Sequence, residues 1–343
     1  LRRDLQVWTS GLLPFFQYAS TSVKPSLIAI YETFYLPLQD DLRPLTKALQ
    51  MALLPGLEEE TSEYYERTIR LLDGISNAVT QPFFLQNLWL TLITTPSVRL
   101  AALNYLTRRM PPIQDAQDPT LLIGKDLGLM VRGLAHALDD GLLLVRRNTL
   151  EILVTNLQID KPAFKSFVKP PDQILLVRSA LNVVLRKDLS LNRRLYTWLL
   201  GADETPEAQI AFLRQHGLEL VRSALKQGFD DDNLDLADRQ KPYRIFVSLL
   251  DKWEIGQSLT RVLALDAFHA ISLQVARGQQ EELMTTAKML FEVVDPFLLY
   301  GRCLEAITDQ FKFQALSSSS TPNSGSKPSS GHSMLALLCL SSK

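Results

Sequence analysis

Apolar side chains recur along almost the whole chain with the period of an α-helix. Leu127, Val131, Leu134 and Leu138 fall at i, i+4, i+7 and i+11, behind an Asp126 placed to accept a backbone N–H as an N-cap. Ile174, Val177, Leu181, Val184 and Leu185 repeat the pattern behind Pro170-Pro171-Asp172. Pro25, Pro82, Pro96 and Pro206 stand where helices begin, a position that tolerates proline because its N–H has no intrahelical partner. Thr95 and Thr205 add a cap oxygen just before two of them. Period-two alternation bounded by Asn-Gly or Asp-Gly turns is missing, so no strands are expected. The predicted helices are 25–36, 42–54, 60–79, 82–94, 96–109, 126–138, 142–157, 172–187, 190–200, 206–227, 241–254, 257–277, 280–294 and 297–314. Met110 to Pro119 reads as a loop, and Asp230 to Asp238 as a second, acidic one.

A longer period lies over the helical one. Val98-Arg99-Leu100, Val145-Arg146-Arg147 and Asn192-Arg193-Arg194 place Arg99, Arg146 and Arg193 at successive steps of 47 residues, each behind a helix breaker or turn-former. A recurrence of about 40–47 residues with helix-turn-helix units is the mark of HEAT or armadillo arrays. One such unit cannot bury its apolar face alone and stacks on its neighbours, which yields a binding surface more often than a catalytic pocket. The expected fold is therefore an all-α, HEAT/armadillo-like solenoid, with Arg99, Arg146 and Arg193 opening equivalent second helices. Leu191, Leu195, Trp198 and Leu199 fall on one helical stripe and should be buried.

Composition narrows the function. With 36 Lys and Arg against 37 Asp and Glu, the net charge of −1 gives no electrostatic case for bulk nucleic-acid binding. Two cysteines and the lack of an Asn-x-Ser/Thr acceptor favour the cytosol. The longest apolar run, Met334 to Leu340, has seven residues where a membrane span needs about twenty. Leu1 falls within a pattern, which reads as a piece of something longer. From Ser317 to Ser333, nine of seventeen residues are serine, the composition of a flexible linker. The organisation expected is thus a helical-repeat domain over 1–316, a linker over 317–333 and a short apolar helical segment over 334–343, which docks near 257–314.

Catalytic motifs fail on inspection. Asp231-Asp232-Asn233-Leu234-Asp235 starts like a calcium loop, but Leu236 and Pro242 stand where Gly and Glu are required. Gly124-Lys125 lacks the upstream Gly and the following Ser/Thr of a phosphate loop, and no Gly-x-Ser-x-Gly occurs. His136 near Asp139 and Asp140 reads as a packed helix residue, as does Cys303, and Trp89, Trp198 and Trp253 read as packing between repeats. Glu63–Arg67 and Glu66–Arg70 have the spacing of i,i+4 ion pairs. No metal, cofactor or catalytic residue is expected. The arginines admit two readings. Each pairs with an aspartate of the adjacent repeat, Asp139, Asp140 or Asp188, as a structural ladder. Alternatively Arg146, Arg147, Arg193 and Arg194 line one concave face as an anion or acidic-peptide site.

Several words of the chain are more specific. Val23-Lys24-Pro25-Ser26-Leu27, Tyr35-Leu36-Pro37-Leu38, Leu53-Leu54-Pro55-Gly56-Leu57-Glu58-Glu59-Glu60 and Leu103-Asn104-Tyr105-Leu106 are four of them. The fifth is Arg186-Lys187-Asp188-Leu189-Ser190-Leu191-Asn192-Arg193-Arg194-Leu195-Tyr196-Thr197-Trp198-Leu199-Leu200-Gly201. Together they resemble the N-terminal domain of the Dopey family, in a fungal-type member, from about Leu1 to Leu316. The resemblance implies a non-catalytic scaffold, cytoplasmic and peripheral on Golgi, trans-Golgi network and endosome membranes, acting in traffic between endosomes and the trans-Golgi. It implies a large Arf-exchange-factor-like scaffold protein as partner, with links to an aminophospholipid flippase, kinesin light chain and phosphatidylinositol 4-phosphate. A phosphoinositide-binding peripheral membrane module is the alternative.

Overall fold

Every regular element among the described residues is helical in the computed structural model, which describes 4–115, 117–231, 236–276, 280–297, 299–301, 304, 305 and 308. The α-helices run in the order α1 (Leu5–Tyr18), α2 (Lys24–Ile30), α3 (Thr46–Leu53), α4 (Tyr65–Val79), α5 (Gln81–Thr94) and α6 (Arg99–Arg109). They continue with α7 (Thr120–Ile123), α8 (Leu127–Leu138), α9 (Leu143–Thr155), α10 (Pro162–Lys165), α11 (Pro170–Leu181) and α12 (Leu189–Leu200). The last are α13 (Pro206–Phe212), α14 (Leu218–Asp230), α15 (Leu236–Leu250), α16 (Trp253–Ala276) and α17 (Gln280–Val293). They fall into two units, Leu1–Val183 with Lys187–Trp198, and Val184–Arg186 with Leu199–Lys343.

In the first unit the pairs α5/α6 and α8/α9 form successive helical hairpins, and α11 is followed by α12 in the same order. The first helices pack side by side, α8 lying against both α5 and α11, while α6 packs on α9. Gly133 lets α8 come close to α5: a Cβ there would stand 3.1 Å from the Trp89 carbonyl oxygen. Trp89 is itself buried and its Nε1–H donates to the Ile123 carbonyl at 3.2 Å.

The register of the second helices is set by what they bury. Val98, Ala102, Tyr105 and Leu106 of the first hairpin are matched by Val145, Thr149, Ile152 and Leu153, 47 residues on, and all eight are buried. The next match is Leu191, Leu195, Trp198 and Leu199, again all buried, but 46 residues on. Arg99 and Arg146 therefore hold equivalent, buried places, whereas Arg193 is exposed. The expectation that Arg193 is the third member fails by one residue. The apolar stripe, not the arginine, fixes the rotation of the helix, and Asn192 takes the place that Arg146 has one repeat earlier.

Side chains cross-brace residues one repeat apart. Asn148 donates to Asn104 Oδ1 at 2.8 Å, and Arg194 Nε to Glu151 Oε2 at 2.8 Å. The expected burial of Trp198 holds, its Nε1–H donating to the Leu157 carbonyl at 2.9 Å and its ring meeting Phe164 edge-on at 5.9 Å.

The second unit uses a similar spacing between α14, with the π-helical turn Leu213–Gly217 that leads into it, and α16. Arg214 reaches Ser258 at 3.0 Å, Lys226 reaches Asp266 at 2.9 Å, and Gln274 Nε2 donates to the Phe229 carbonyl at 3.3 Å. Phe229 stacks on Tyr243 at 4.5 Å. Pro242 lies inside α15, where Gly228 of α14 makes room: a Cβ on Gly228 would meet the proline ring at 2.6 Å.

Several sequence expectations need correction. The helical periodicity does not predict α1 or the single turns α7 and α10, which the structure contains. α4 starts at Tyr65 rather than 60, because the acidic run before it forms turns. α15 already begins at Leu236 and α16 at Trp253. Trp253 is 57 % exposed and His136 is exposed, so neither packs in the core. Arg67 turns away from Glu63 to pair with Glu32 at 2.8 Å, and Arg70 reaches the backbone carbonyl of Glu66 rather than its carboxylate. Cys303, the 317–333 tract and the 334–343 segment lie outside the described residues.

Candidate functional site

The turns that lead from first to second helices in the first unit are built by aspartates. After α8, Asp140 accepts the Leu142 N–H at 2.9 Å and an Arg99 Nη1 hydrogen at 2.8 Å. Arg99 spends the rest of its guanidinium on the end of α5, donating to the Leu92 carbonyl at 2.7 Å and to that of Ile93 at 3.4 Å. Both side chains of this pair are about nine-tenths covered, at 10 % and 9 % exposure. Burial alone would raise the Asp140 pKa, but the Leu142 N–H, Arg99 and the nearby Arg146 outweigh it and hold the carboxyl below its ordinary value. The neighbouring Asp139 accepts from Ser179 and Asn182 at 3.3 and 3.2 Å. One repeat on, Lys187 takes a left-handed backbone, φ 53°, and Asp188 Oδ1 caps α12 by accepting the Leu191 N–H at 2.9 Å.

These turns tip the first residues of the second helices outward. Leu142, Leu143 and Leu144 are exposed at the start of α9, and Leu189, at the start of α12, is 86 % exposed. Arg147 and Arg193 follow one helical turn after Leu143 and Leu189, and both are exposed. The two Leu-Arg pairs are equivalent in the 46-residue register. Neither arginine side chain makes an ion pair or hydrogen bond among the described residues.

The four arginines singled out from the sequence therefore divide. Arg146 is buried, 5 % exposed, and acts on Asp140; Arg194 is held by Glu151 and by the Ser190 carbonyl at 3.1 Å. Arg147 and Arg193 face solvent. Of the proposed aspartate partners, Asp140 takes an arginine of the preceding repeat, Asp139 takes Ser179 and Asn182, and Asp188 takes a backbone N–H. The exposed leucines were not recognised as site residues. Their signal is that they precede the buried stripe of Val145, Thr149, Ile152 and Leu153 and so have no core to enter.

A second outward apolar face lies on α1. Thr9, Leu13 and Phe16 point inward, while Val7, Trp8, Phe15 and Tyr18 are exposed and an open groove runs between Trp8 and Phe15 over Gly11. Among the described residues no group of three His, Cys, Asp or Glu side chains is placed to hold a metal ion, and no helix is long and apolar enough to cross a membrane.

Comparison with known proteins supplies the lineage. Residues 1–204 match the family model described as Dopey, N-terminal, and residues 212–318 match that of the DOP1 middle TPR domain. The chain is 36 % identical to Protein DOP1B of Xenopus laevis over 79 % of its own length and 13 % of the relative's. It is 33 % identical to the Protein DOP1 homolog of Drosophila pseudoobscura pseudoobscura over 86 % of its length and 12 % of the relative's. A fungal relative, Protein DOP1 of Saccharomyces cerevisiae, is 26 % identical over 90 % of the chain and 21 % of its own length. The chain thus spans about an eighth of the animal relatives. No solved structure matches it. On these matches, which cover both the long Arg186–Gly201 motif and the helical repeats around it, the chain belongs to the Dopey family.

Proposed function

We propose that the chain is part of a non-catalytic scaffold in vesicular traffic between endosomes and the trans-Golgi network, and that it binds protein partners through the surface of its helical repeats. The observation that carries this reading is the edge of the first unit, where an exposed leucine and an uncommitted arginine occur together in two successive repeats, on α9 and on α12. Stacked hairpins bury their chemistry between layers and leave edges of this kind as their working surface. The partners in view are a large Arf-exchange-factor-like scaffold protein, an aminophospholipid flippase and kinesin light chain. Phosphoinositide binding is the weaker reading. Arg147 and Arg193 stand on separate helices, whose axes are typically about 8–10 Å apart, which makes a strip rather than a pocket for one head group.

The test uses the full-length protein. A fluorescent fusion at the native locus should overlap trans-Golgi and endosomal markers, and removal of residues 1–316 should slow retrieval of a cargo from endosomes. A fusion found on neither compartment, or normal retrieval without these residues, would refute the scaffold reading.

A further inference from the structure

We infer that the edge formed by the first turns of α9 and α12 takes one kind of occupant: a partner protein's amphipathic helix with an apolar stripe flanked on one side by acidic residues. This deepens the scaffold reading and rests on it. Leu143 and Arg147 on α9 are matched by Leu189 and Arg193 on α12, and all four side chains are exposed. Each leucine is one turn from its arginine, so the edge carries an apolar row and, about 6 Å further along the helices, a parallel cationic row.

Charge supports the acidic occupant. Asp139, Asp140 and Asp188, the carboxylates of these turns, are committed to Ser179 and Asn182, to Arg99 and Leu142, and to Leu191. Arg147 and Arg193 have no such commitment among the described residues, and the exposed Lys187 adds to the same sign. Hydrogen bonds to neutral groups leave Asp139 and Asp188 charged, but with Asp140 set against Arg99 the cations Arg147, Arg193 and Lys187 still outnumber those two carboxylates, so the formal charge around the edge is positive while the chain as a whole is close to neutral. Spacing supports the helix. Arg194 of α12 reaches Glu151 of α9 at 2.8 Å, packed helices typically lie about 8–10 Å apart, and a helix rises about 10.5 Å per heptad. A helix laid across α9 and α12 would meet one Leu-Arg pair per heptad. Its apolar residue would cover the leucine and its carboxylate would reach the guanidinium, the helix-in-groove mode with an electrostatic rim.

The probe is a synthetic three-heptad amphipathic helix with Leu in the apolar stripe and Glu beside it, labelled for fluorescence anisotropy against the whole 343-residue chain. A second peptide carries Lys in place of Glu. The expected result is binding of the Glu peptide alone, weakened by about tenfold or more in Arg147→Glu/Arg193→Glu and in Leu143→Ser/Leu189→Ser. All four sites are exposed, so the melting temperature of both variants should match the parent and loss of fold is separable from loss of binding. Failure of the Glu peptide to bind, equal binding of the Lys peptide, or undiminished binding to the variants would overturn the inference. So would phosphatidylcholine vesicles containing phosphatidylserine or phosphatidylinositol 4-phosphate capturing the parent chain, but not the variants, while the Glu peptide is ignored. Localisation of the full-length protein is unaffected by any of these outcomes, so the scaffold reading stands or falls separately.

Discussion

Asn148 of α9 donates its side-chain N–H to Asn104 Oδ1 of α6 at 2.8 Å, and one repeat later Arg194 of α12 meets Glu151 of α9 at the same distance. Asn104 and Glu151 are equivalent, and so are Asn148 and Arg194. The same rung is thus built once from neutral groups and once from charged ones. Asn104 also donates to the Leu57 carbonyl at 3.3 Å, so it links three layers.

The two rungs should respond differently to salt. Asn148→Ala removes one partly buried hydrogen bond and should cost about 1 kcal/mol, and Asn104→Ala, which loses two, about 2 kcal/mol. The Arg194–Glu151 pair is more open to solvent, and a double-mutant cycle should return only about 0.2–1 kcal/mol. Raising the salt concentration should shrink the second coupling and leave the first unchanged. Equal salt sensitivity in both cycles would mean that the rungs are not equivalent.

Arg99 and Asp140 should govern acid stability of the first unit. Arg99→Ala strips a nine-tenths-covered carboxylate of its partner and two carbonyls of a donor, with an expected cost of about 3–5 kcal/mol. The Asp140 pKa is depressed on folding, so its contribution is fully present above the ordinary carboxylate value and is lost as pH falls through the lower, folded one. The stability difference between the parent and Asp140→Asn should therefore be constant near neutrality and narrow below about pH 4. Denaturant melts from pH 7 to pH 3 measure it; a gap that widens toward acid would show that the sign is wrong.

The fold class was legible because the 3.6-residue period and proline-led helix starts agree over nearly the whole chain. The register was legible only to within one residue. Matching Arg99, Arg146 and Arg193 by type gives 47 and 47, whereas the apolar stripe from Val145, Thr149 and Ile152 to Leu191, Leu195 and Trp198 gives 46 for the last step. A single-residue change rotates an arginine by about 100° around a helix, enough to carry Arg193 from the core to solvent. α1 is illegible for the opposite reason: Val7, Trp8, Leu12, Leu13, Phe15 and Phe16 surround it, and Pro14 interrupts it, so no polar stripe marks its outer face. Of the candidate site, the arginines were visible as types, but which of them face outward depends on Asp140, Glu151 and the register, none of which composition reveals.

Two helical glycines should give opposite signs. Gly11 of α1 has no neighbour within 4 Å of an added Cβ, so Gly11→Ala should stabilise by up to about 1 kcal/mol through helix propensity. At Gly228 the added Cβ would stand 2.6 Å from the ring of Pro242, which cannot rotate away. Overpacking of about 1–3 kcal/mol should there outweigh the propensity gain. Thermal melts of the two variants decide it, and a stabilised Gly228→Ala would mean that α14 and α15 separate at no cost.

Trp198 ties the long Arg186–Gly201 motif to the repeat before it, and two substitutions separate its packing from its hydrogen bond. Trp198→Ala empties a site bounded by Phe164 and should cost about 3–5 kcal/mol. Trp198→Phe keeps much of the ring contact but removes the donor to the Leu157 carbonyl. That buried acceptor then lacks its partner, at about 1–3 kcal/mol. Hydrogen exchange gives the spatial readout. Because the indole bond ends on the turn after α9, Trp198→Phe should speed exchange around Leu157 to Phe164 more than in α5 or α6. If protection falls evenly across the first unit instead, Trp198 contributes only to the global core, and the motif's role as a clasp between adjacent repeats is refuted.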